Sequence, residues 1–157
     1  MHLNLWGWVA SCLYASEIDK FASITYTLNH NLIPFGDITK QETKDKIPKK
    51  FDILCGGFPC QAFSIAGYQK GFDDARGTLF FEILSIAKEH KPKVLFLENV
   101  KKLKNHDNGN TFKVIKNSLE SIGYHVYSDI LNSATHANIP QNRERIFIVA
   151  FNKNKVK

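Results

Sequence analysis

A short loop around Cys60 combines features that nucleophilic catalysis needs. Residues 56–64 leave an apolar strand through two glycines, which allow a ligand or another backbone to approach closely. Pro59 fixes its own φ and favours an extended Phe58, so the chain entering Cys60 is stiff. A stiff loop that presents one thiol beyond a strand suits a covalent nucleophile. The alternative is a buried structural cysteine, which is the state expected for Cys55 inside the strand.

Three acidic residues are candidates for a site: Glu17 and Glu98 follow predicted strands, and Asp37 lies in the segment 35–38. Glu98 follows the apolar run 94–97, where a carboxylate facing a crevice can share a proton with a substrate. Glu17 and Asp37 hold positions at which carboxylates of α/β folds commonly bind ribose hydroxyls. Each of the three has an alternative role as a helix cap or a solvated strand end.

Gln141, Arg143 and Arg145 lead into the last apolar strand, which is predicted to begin at Arg145. Alternate residues of a strand point the same way, so these three side chains share one side. Two guanidinium groups on one side suit a phosphate or a carbonyl oxygen, because each offers paired planar donors. A surface edge strand of mixed charge is the alternative.

The cysteines and histidines show no spacing typical of other chemistry. Cys12, Cys55 and Cys60 are too few and odd in number for a disulfide framework. No histidine lies near the second and third of them in the sequence, so no metal site is expected. A cysteine hydrolase needs a histidine placed to activate its thiol, and none stands out here. We expect reduced thiols and no metal.

Apolar patterns along the chain alternate between strands and helices. Strands are predicted at 12–16, 51–55, 94–97, 124–131 and 145–151, and helices at 17–29, 78–90 and 112–122, the last ended by Gly123. Residues 40–50 are lysine-rich and predict a solvated connection. This order predicts an α/β fold with a mainly parallel sheet and a terminal antiparallel hairpin. Chemistry in such sheets lies beyond the carboxyl ends of the strands.

Composition is compatible with one folded domain and a nucleic-acid partner. The 157 residues are 43% hydrophobic and 12% aromatic, which suffices for a packed core and excludes disorder. A net charge of +6 permits binding to nucleic acid, because neutralised phosphates release counterions. No stretch approaches the ~18 apolar residues of a membrane span, and no signal peptide is found, so we expect a cytoplasmic protein without membrane contact.

Together these segments resemble the DNA cytosine-5 methyltransferase family, in order from about Leu3 to Phe151. Several spaced blocks carry the resemblance, which makes it more specific than any single motif. The matching blocks are Phe58-Pro59-Cys60-Gln61 with Ser64, Glu98-Asn99-Val100, Gln141 with Arg143 and Arg145, Arg76-Gly77-Thr78-Leu79-Phe80, Ser16-Glu17-Ile18-Asp19, and Gly36-Asp37-Ile38.

The resemblance implies a Rossmann-like fold, S-adenosyl-L-methionine as cofactor and double-stranded DNA as partner. The family adds a cysteine thiolate to carbon 6 of a flipped-out cytosine, which makes carbon 5 able to take a methyl group. By this resemblance Cys60 is the nucleophile, and Glu98 holds ring nitrogen 3 and the exocyclic amine. Arg145, helped by Arg143, holds the carbonyl oxygen and the nearby backbone. The implied cofactor-binding residues are Glu17, Ile18, Asp37, Ile38, Pro59 and Leu79, and the implied DNA-binding residues are Gln61, Ser64, Arg76 and Gln141.

Two parts of the family pattern are not matched. Met1–Ala10 lacks the opening strand and F-x-G-x-G loop and is predicted to begin part-way through the following helix, so the first central strand of the sheet is expected to be missing. No target-recognition region or closing blocks follow residue 151, so the target DNA sequence is not readable. We expect a single partial catalytic domain over residues 1–157. It either needs a complementary chain or is a non-catalytic remnant with at most weak DNA binding.

Overall fold

The computed structural model describes residues 2–5, 8–59 and 79–156. The chain divides into two compact units, Met1–Lys49 and Lys50–Lys157. Within the described ranges, no helix has the length and apolar character needed to cross a membrane.

The first unit opens with an antiparallel hairpin of β1 (His2–Leu5) and β2 (Trp8–Ser11). The prediction that Met1–Ala10 begins inside a helix is therefore wrong. Polar and apolar residues alternate from His2 to Leu5, which is the two-residue period of a strand.

The strand predicted at residues 12–16 is reduced to one parallel bridge, between Ser16 and Phe35. Two backbone hydrogen bonds flank it, from Glu17 N to Phe35 O at 2.9 Å and from Phe35 N to Ala15 O at 2.8 Å. The bridge holds two short segments side by side, and both run in the same direction.

Helix α1 (Lys20–His30) begins three residues later than predicted because Asp19 caps it. The Asp19 carboxylate accepts a hydrogen bond from Ala22 N at 2.7 Å, which satisfies an amide of the first turn. The helix ends at Asn31, whose φ of 51° lies in the left-handed region that asparagine tolerates. A short helix α2 (Gln41–Lys44) lies within the segment predicted as a solvated connection.

The second unit is built on a four-stranded sheet in the order β3-β4-β6-β5. Its strands are β3 (Ile53–Gly57), β4 (Val94–Val100), β5 (Tyr124–Asn132) and β6 (Glu144–Asn152). The antiparallel pairing of β5 with β6 confirms the predicted terminal hairpin. The expected mainly parallel sheet needs correction: among the described strands only β3 and β4 pair in parallel. The reason is that β6 returns between β4 and β5, antiparallel to both.

Helices cover one face of this sheet. They are α3 (Leu79–His90), a 3₁₀ segment (Lys101–Gly109) and α4 (Asn110–Ser121). A further short helix, α5 (Ser133–His136), follows β5 and has no buried residue. Helix α3 is the crossover that parallel strands require between β3 and β4. Its buried side chains share one apolar core with those of α4 and the strands, formed by Phe80, Leu84, Ala87, Leu95, Leu97, Ile115, Leu119, Ile146 and Ile148.

The opposite sheet face is open to solvent. Ile53 on β3, Phe96 on β4 and Tyr127 on β5 are 53%, 42% and 63% exposed. Cys55, expected to be buried, is also exposed on this face. The strands are apolar on both faces, a composition typical of sheets that are covered on both sides.

Candidate functional site

The carboxyl ends of β3 and β4 lie side by side. Their parallel register pairs Gly57 with Glu98. A Cβ atom built on Gly57 would lie 3.6 Å from Glu98 Oε2, so the carboxylate lies against the end of β3. Glu98 therefore stands next to the point where the chain leaves β3 towards Phe58 and Pro59.

Glu98 forms an ion pair with Arg145 on β6. Arg145 Nε lies 2.8 Å from Glu98 Oε1. Val100 is the register partner of Arg145, so Glu98 is its diagonal neighbour on the same face of the ladder. The side chains of Arg145 and Glu98 are 23% and 38% exposed, so the pair remains within reach of a ligand.

Asn99 is a site residue that the sequence analysis did not assign. Its side chain is buried, and its Nδ2 donates a hydrogen bond to Phe58 O at 2.7 Å. Its Oδ1 accepts one from Val100 N at 2.8 Å. The amide thus joins the end of β4 to the segment that leaves β3. Strand alternation gave a signal, because Asn99 shares the inward face of Leu95 and Leu97 and so needs a buried partner.

These strand ends border a cleft of about 480 Å³. Its lining residues are Phe58, Pro59, Glu98, Asn99, Val100, Lys102, His106, Arg143 and Arg145. Four of these residues have a predicted role, and the structure brings them together: Pro59, Glu98, Arg143 and Arg145. Lys102 and His106, which come from the 3₁₀ segment, have no predicted role.

The 3₁₀ segment turns sharply before α4. Asp107, Asn108 and Gly109 have φ values of 51°, 53° and 85°, in the left-handed region. His106 Nδ1 lies 2.7 Å from the hydroxyl oxygen of Thr111, which fixes the imidazole ring beside the cleft. The position of His106 depends on the geometry of the whole turn, so no local sequence pattern indicates it.

A second ion pair lies next to the cleft but does not line it. Lys101 Nζ donates to both carboxylate oxygens of Glu144, each at 2.8 Å. The segment before Glu144 is held by its backbone, because Ser133 N donates to Arg143 O at 3.1 Å. The Arg143 side chain itself is exposed.

In the first unit, the Ser16–Phe35 bridge brings Glu17 and Asp37 to the same end of two parallel segments. Glu17 Oε1 accepts a hydrogen bond from Asp19 N at 2.8 Å. Asp37 Oδ1 accepts bonds from Thr39 N at 2.9 Å and from the Thr39 hydroxyl at 2.8 Å. These bonds, led by that from the backbone amide, lower the pKa of Asp37 from its ordinary value.

The other predicted site residues fall into two groups. Cys60, Gln61, Ser64 and Arg76 lie outside the described residues. Ile18 is exposed, Ile38 is half-buried, Leu79 begins α3 and packs against the core, and Gln141 is exposed before β6. Among the residues that the structure describes, no cluster of three or more metal-ligating side chains is found.

The sequence matches known proteins along its whole length. Residues 1–157 match the sequence model of C-5 cytosine-specific DNA methylases. The type II methyltransferase M.HpaII of Haemophilus parainfluenzae is 56% identical over 152 residues, which cover 96% of this chain and 42% of that protein. M.HhaI of Haemophilus parahaemolyticus, also a type II methyltransferase, is 51% identical over 142 residues, covering 90% of this chain and 42% of its own length.

Solved structures agree on the fold. The crystal structure of the S. pombe Dnmt2 methyltransferase matches with a TM-score of 0.66 at 24% identity, over 94% of this chain and 45% of that one. This likeness confirms the predicted α/β, Rossmann-like methyltransferase fold. The chain spans about two fifths of the length of the curated relatives described above. By the match over its full length, the chain belongs to the C-5 cytosine-specific DNA methylase family.

Proposed function

We propose that this chain carries the catalytic centre of an enzyme that transfers a methyl group from S-adenosyl-L-methionine to carbon 5 of cytosine in double-stranded DNA. The observation that carries the proposal is the Glu98–Arg145 ion pair, at 2.8 Å, in a cleft that Pro59 lines directly before Cys60 in the sequence. A carboxylate and a guanidinium held together present an acceptor and donors to one small polar ring.

In this proposal the ion pair binds the target base. The Glu98 carboxylate accepts a hydrogen bond from the exocyclic amine and holds a proton at ring nitrogen 3. Arg145 donates to the carbonyl oxygen at carbon 2. Both contacts stabilise the charge that develops on the ring during reaction. A base inside a duplex is out of reach, so the cytosine must be flipped out of the helix.

Cys60 supplies the nucleophile. Its thiolate forms a bond to carbon 6, and the displaced electron pair makes carbon 5 nucleophilic. Carbon 5 would take the methyl group and lose its proton to a base, and the electron pair of the broken C–H bond would expel the thiolate. When bound, S-adenosyl-L-methionine would supply the electrophilic methyl group and leave as a neutral thioether. Asn99 supports this chemistry indirectly, since it holds Phe58 O, two residues before Cys60, at 2.7 Å.

Cofactor binding is assigned to six residues, of which all but Pro59 are assigned to the adenosine part: Glu17, Ile18, Asp37, Ile38, Pro59 and Leu79. The side chains of the first unit suit the ribose and the ring of an adenosine. Carboxylates accept hydrogen bonds from ribose hydroxyls, and the 75% exposed side chain of Ile18 offers apolar surface to a ring. Glu17 and Asp37 lie at one end of the Ser16–Phe35 bridge, which supports a shared role.

We further assign Gln61, Ser64, Arg76 and Gln141 to DNA contacts. Residues 1–157 then act as one partial catalytic domain, completed by a segment or chain that carries the target-recognition region and closing blocks. The alternative is a non-catalytic remnant with at most weak DNA binding. The two differ in one measurable property, which is covalent chemistry at Cys60 once the remaining segments are supplied.

The test uses the chain combined in trans with the remaining segment of M.HpaII, the relative that is 56% identical. The substrate is DNA with fluorine at carbon 5 of its cytosines, together with S-adenosyl-L-methionine, because after methyl transfer a ring that has no proton to lose at carbon 5 keeps the thiolate bonded. We expect a covalent protein–DNA complex, detected by mass, that Cys60→Ser abolishes and that Cys12→Ser and Cys55→Ser retain. A complex that forms with Cys60→Ser would contradict the proposal, and no complex with any chain would favour the remnant.

A further inference from the structure

The guanidinium group of Arg145 is held at two of its three nitrogens. Its Nε lies 2.8 Å from Glu98 Oε1, and its Nη1 donates a hydrogen bond to Glu144 O at 2.8 Å. Within the described ranges 2–5, 8–59 and 79–156, Nη2 of Arg145 and Oε2 of Glu98 form no hydrogen bond or ion pair. One donor and one acceptor of the cleft lining are therefore available to a ligand.

The contact at Nη1 depends on where Glu144 lies. The β4–β6 register ends with Val100 opposite Arg145, so Glu144 stands one position beyond the paired part of these two strands. Its side chain continues the connection: both carboxylate oxygens accept a hydrogen bond from Lys101 Nζ, each at 2.8 Å. Lys101 directly follows β4. The ion pair thus extends the pairing of β4 with β6 by one position, through side chains instead of backbone.

We propose that Lys101 and Glu144 are positioning residues for recognition of the target base; this inference rests on the proposed function. Their ion pair holds the Glu144 carbonyl in place, and that carbonyl orients the guanidinium of Arg145 towards the base. Groups that act on a reacting ring must be held close to their productive geometry, because a displacement of about 1 Å can lower the rate by a factor on the order of 100. Neither Lys101 nor Glu144 lines the cleft, so each acts only through Arg145.

The exposure of the pair argues against a mainly stabilising role. The side chains of Lys101 and Glu144 are 52% and 40% exposed, and ion pairs in contact with water contribute little to folding stability. A second ion pair provides a matched control, because Lys93 Nζ lies 2.8 Å from Asp52 Oδ1 and both side chains are exposed. Lys93 precedes β4 and Asp52 precedes β3, so this pair joins the same strand to a neighbour at the end opposite to the cleft.

Side-chain NMR of the 157-residue chain tests the positioning directly. The contact with Glu98 slows the exchange of the Arg145 Nε hydrogen with water, and Arg145→Lys identifies the signal by removing it. Lys101→Met and Glu144→Gln should each accelerate this exchange several-fold. Lys101→Arg, which keeps a charged donor, should retain slow exchange, and so should Lys93→Met. An unchanged rate in both Lys101→Met and Glu144→Gln, or an equal acceleration by Lys93→Met, would overturn the proposal.

Methyl transfer by the chain combined with the remaining segment of M.HpaII measures the consequence. Lys101→Met and Glu144→Gln should each lower kcat on the order of tenfold. The KM for DNA should change less, because the contact with the base strengthens as charge develops on the ring. Lys93→Met should leave kcat unchanged. Circular dichroism verifies that each variant is folded.

The two substitutions change the net charge in opposite directions, which separates positioning from a general effect of charge on DNA binding. Positioning predicts that both lower kcat and that the double variant, which restores the net charge but not the attraction, stays as slow as either single variant. Opposite changes in kcat, or full recovery in the double variant, would contradict the proposal. The exchange measurement needs neither DNA nor cofactor. If no chain transfers methyl groups, the proposed function fails and the exchange rate alone decides this inference.

Discussion

Asn99 shows how a single buried side chain can hold two parts of a site together. Both polar atoms of its amide are used, by Phe58 O at 2.7 Å and by Val100 N at 2.8 Å. A buried polar group whose bonds are all made costs little, whereas one that loses its partner bears the full cost of desolvation. The residue therefore stabilises the fold and positions the chain that leads to Cys60.

We predict that Asn99→Ala lowers the free energy of unfolding by about 1–3 kcal/mol, because the Phe58 carbonyl loses its donor. Urea titration followed by far-UV circular dichroism measures the change. Asn117→Ala is the control, since Asn117 is exposed on α4, and it should alter stability by less than about 0.5 kcal/mol. Equal effects of the two substitutions would show that the buried amide contributes nothing specific.

A second residue-scale prediction concerns Asp37. Hydrogen bonds from Thr39 hold the pKa of Asp37 below its ordinary value, which is about 3.9. The folded state therefore binds fewer protons than the unfolded one, so these bonds stabilise the fold above the ordinary pKa. That stability is lost as the pH falls through the lower, folded-state pKa.

Thr39→Val removes the hydroxyl that donates to Asp37 at 2.8 Å and should raise the pKa of Asp37 part of the way back. The backbone bond from residue 39 remains, so the return is incomplete. Side-chain carboxyl signals in an NMR titration report the pKa directly. Thr25→Val, whose hydroxyl donates to Phe21 O instead, should leave it unchanged. An unchanged pKa in Thr39→Val would contradict the assignment of cause.

At the scale of elements, α4 depends on the residue that ends it. Gly123 follows the helix with a φ of 94°, a left-handed conformation in which glycine carries no steric penalty. A Cβ atom built at this position meets nothing within 4 Å, so the space would allow alanine. Any cost of substitution therefore comes from the backbone conformation alone.

Gly123→Ala should lower the free energy of unfolding by about 1–2 kcal/mol, the penalty for a left-handed alanine. Gly36→Ala is matched to it, because Gly36 also has open space around its Cβ position but lacks a positive φ. The second substitution should be nearly neutral in the same thermal or urea titration. A loss of similar size in both variants would show that glycine at residue 123 is not required by its φ.

The elements that could be predicted are those whose signals are local. The apolar runs gave all four strands of the second unit, and Gly123 gave the end of α4. The helix predicted for Met1–Ala10 rests on the resemblance to the family, whereas the local alternation from His2 to Leu5 is the signal of the β1–β2 hairpin. The extent of parallel pairing was overestimated, since no local pattern reveals that β6 enters between β4 and β5.

The site follows the same division. Residue type and position at strand ends make Glu98, Arg143 and Arg145 candidates, the resemblance supplies their roles, and the structure gathers them in one cleft. The partner of Asn99 lies 41 residues away, and the Lys101–Glu144 pair spans 43. Such contacts depend on the register between strands, which the sequence of either strand alone does not contain.

At the scale of the whole molecule, we predict that the purified 157-residue chain does not transfer methyl groups by itself. The chain spans about two fifths of the length of M.HpaII and M.HhaI. Catalysis by positioned groups is sensitive to displacements of about 1 Å. The open sheet face also leaves the apolar side chains of Phe96 and Tyr127 exposed to solvent. The measurement is incorporation of labelled methyl from S-adenosyl-L-methionine into unmethylated DNA, with Cys60→Ser as the blank. Incorporation clearly above that blank would refute the prediction.

The Lys101–Glu144 pair determines which substitutions these two positions can tolerate. Neither residue lines the cleft and both side chains are partly exposed, so their mutual attraction is what a substitution at either position would disturb. Lys101→Glu together with Glu144→Lys preserves that attraction, whereas either change alone sets two like charges side by side. Glu98 and Arg145 have no such freedom, because each also lines the cleft. Homologous sequences should therefore exchange charge at positions 101 and 144 in compensating steps, while positions 98 and 145 stay as they are.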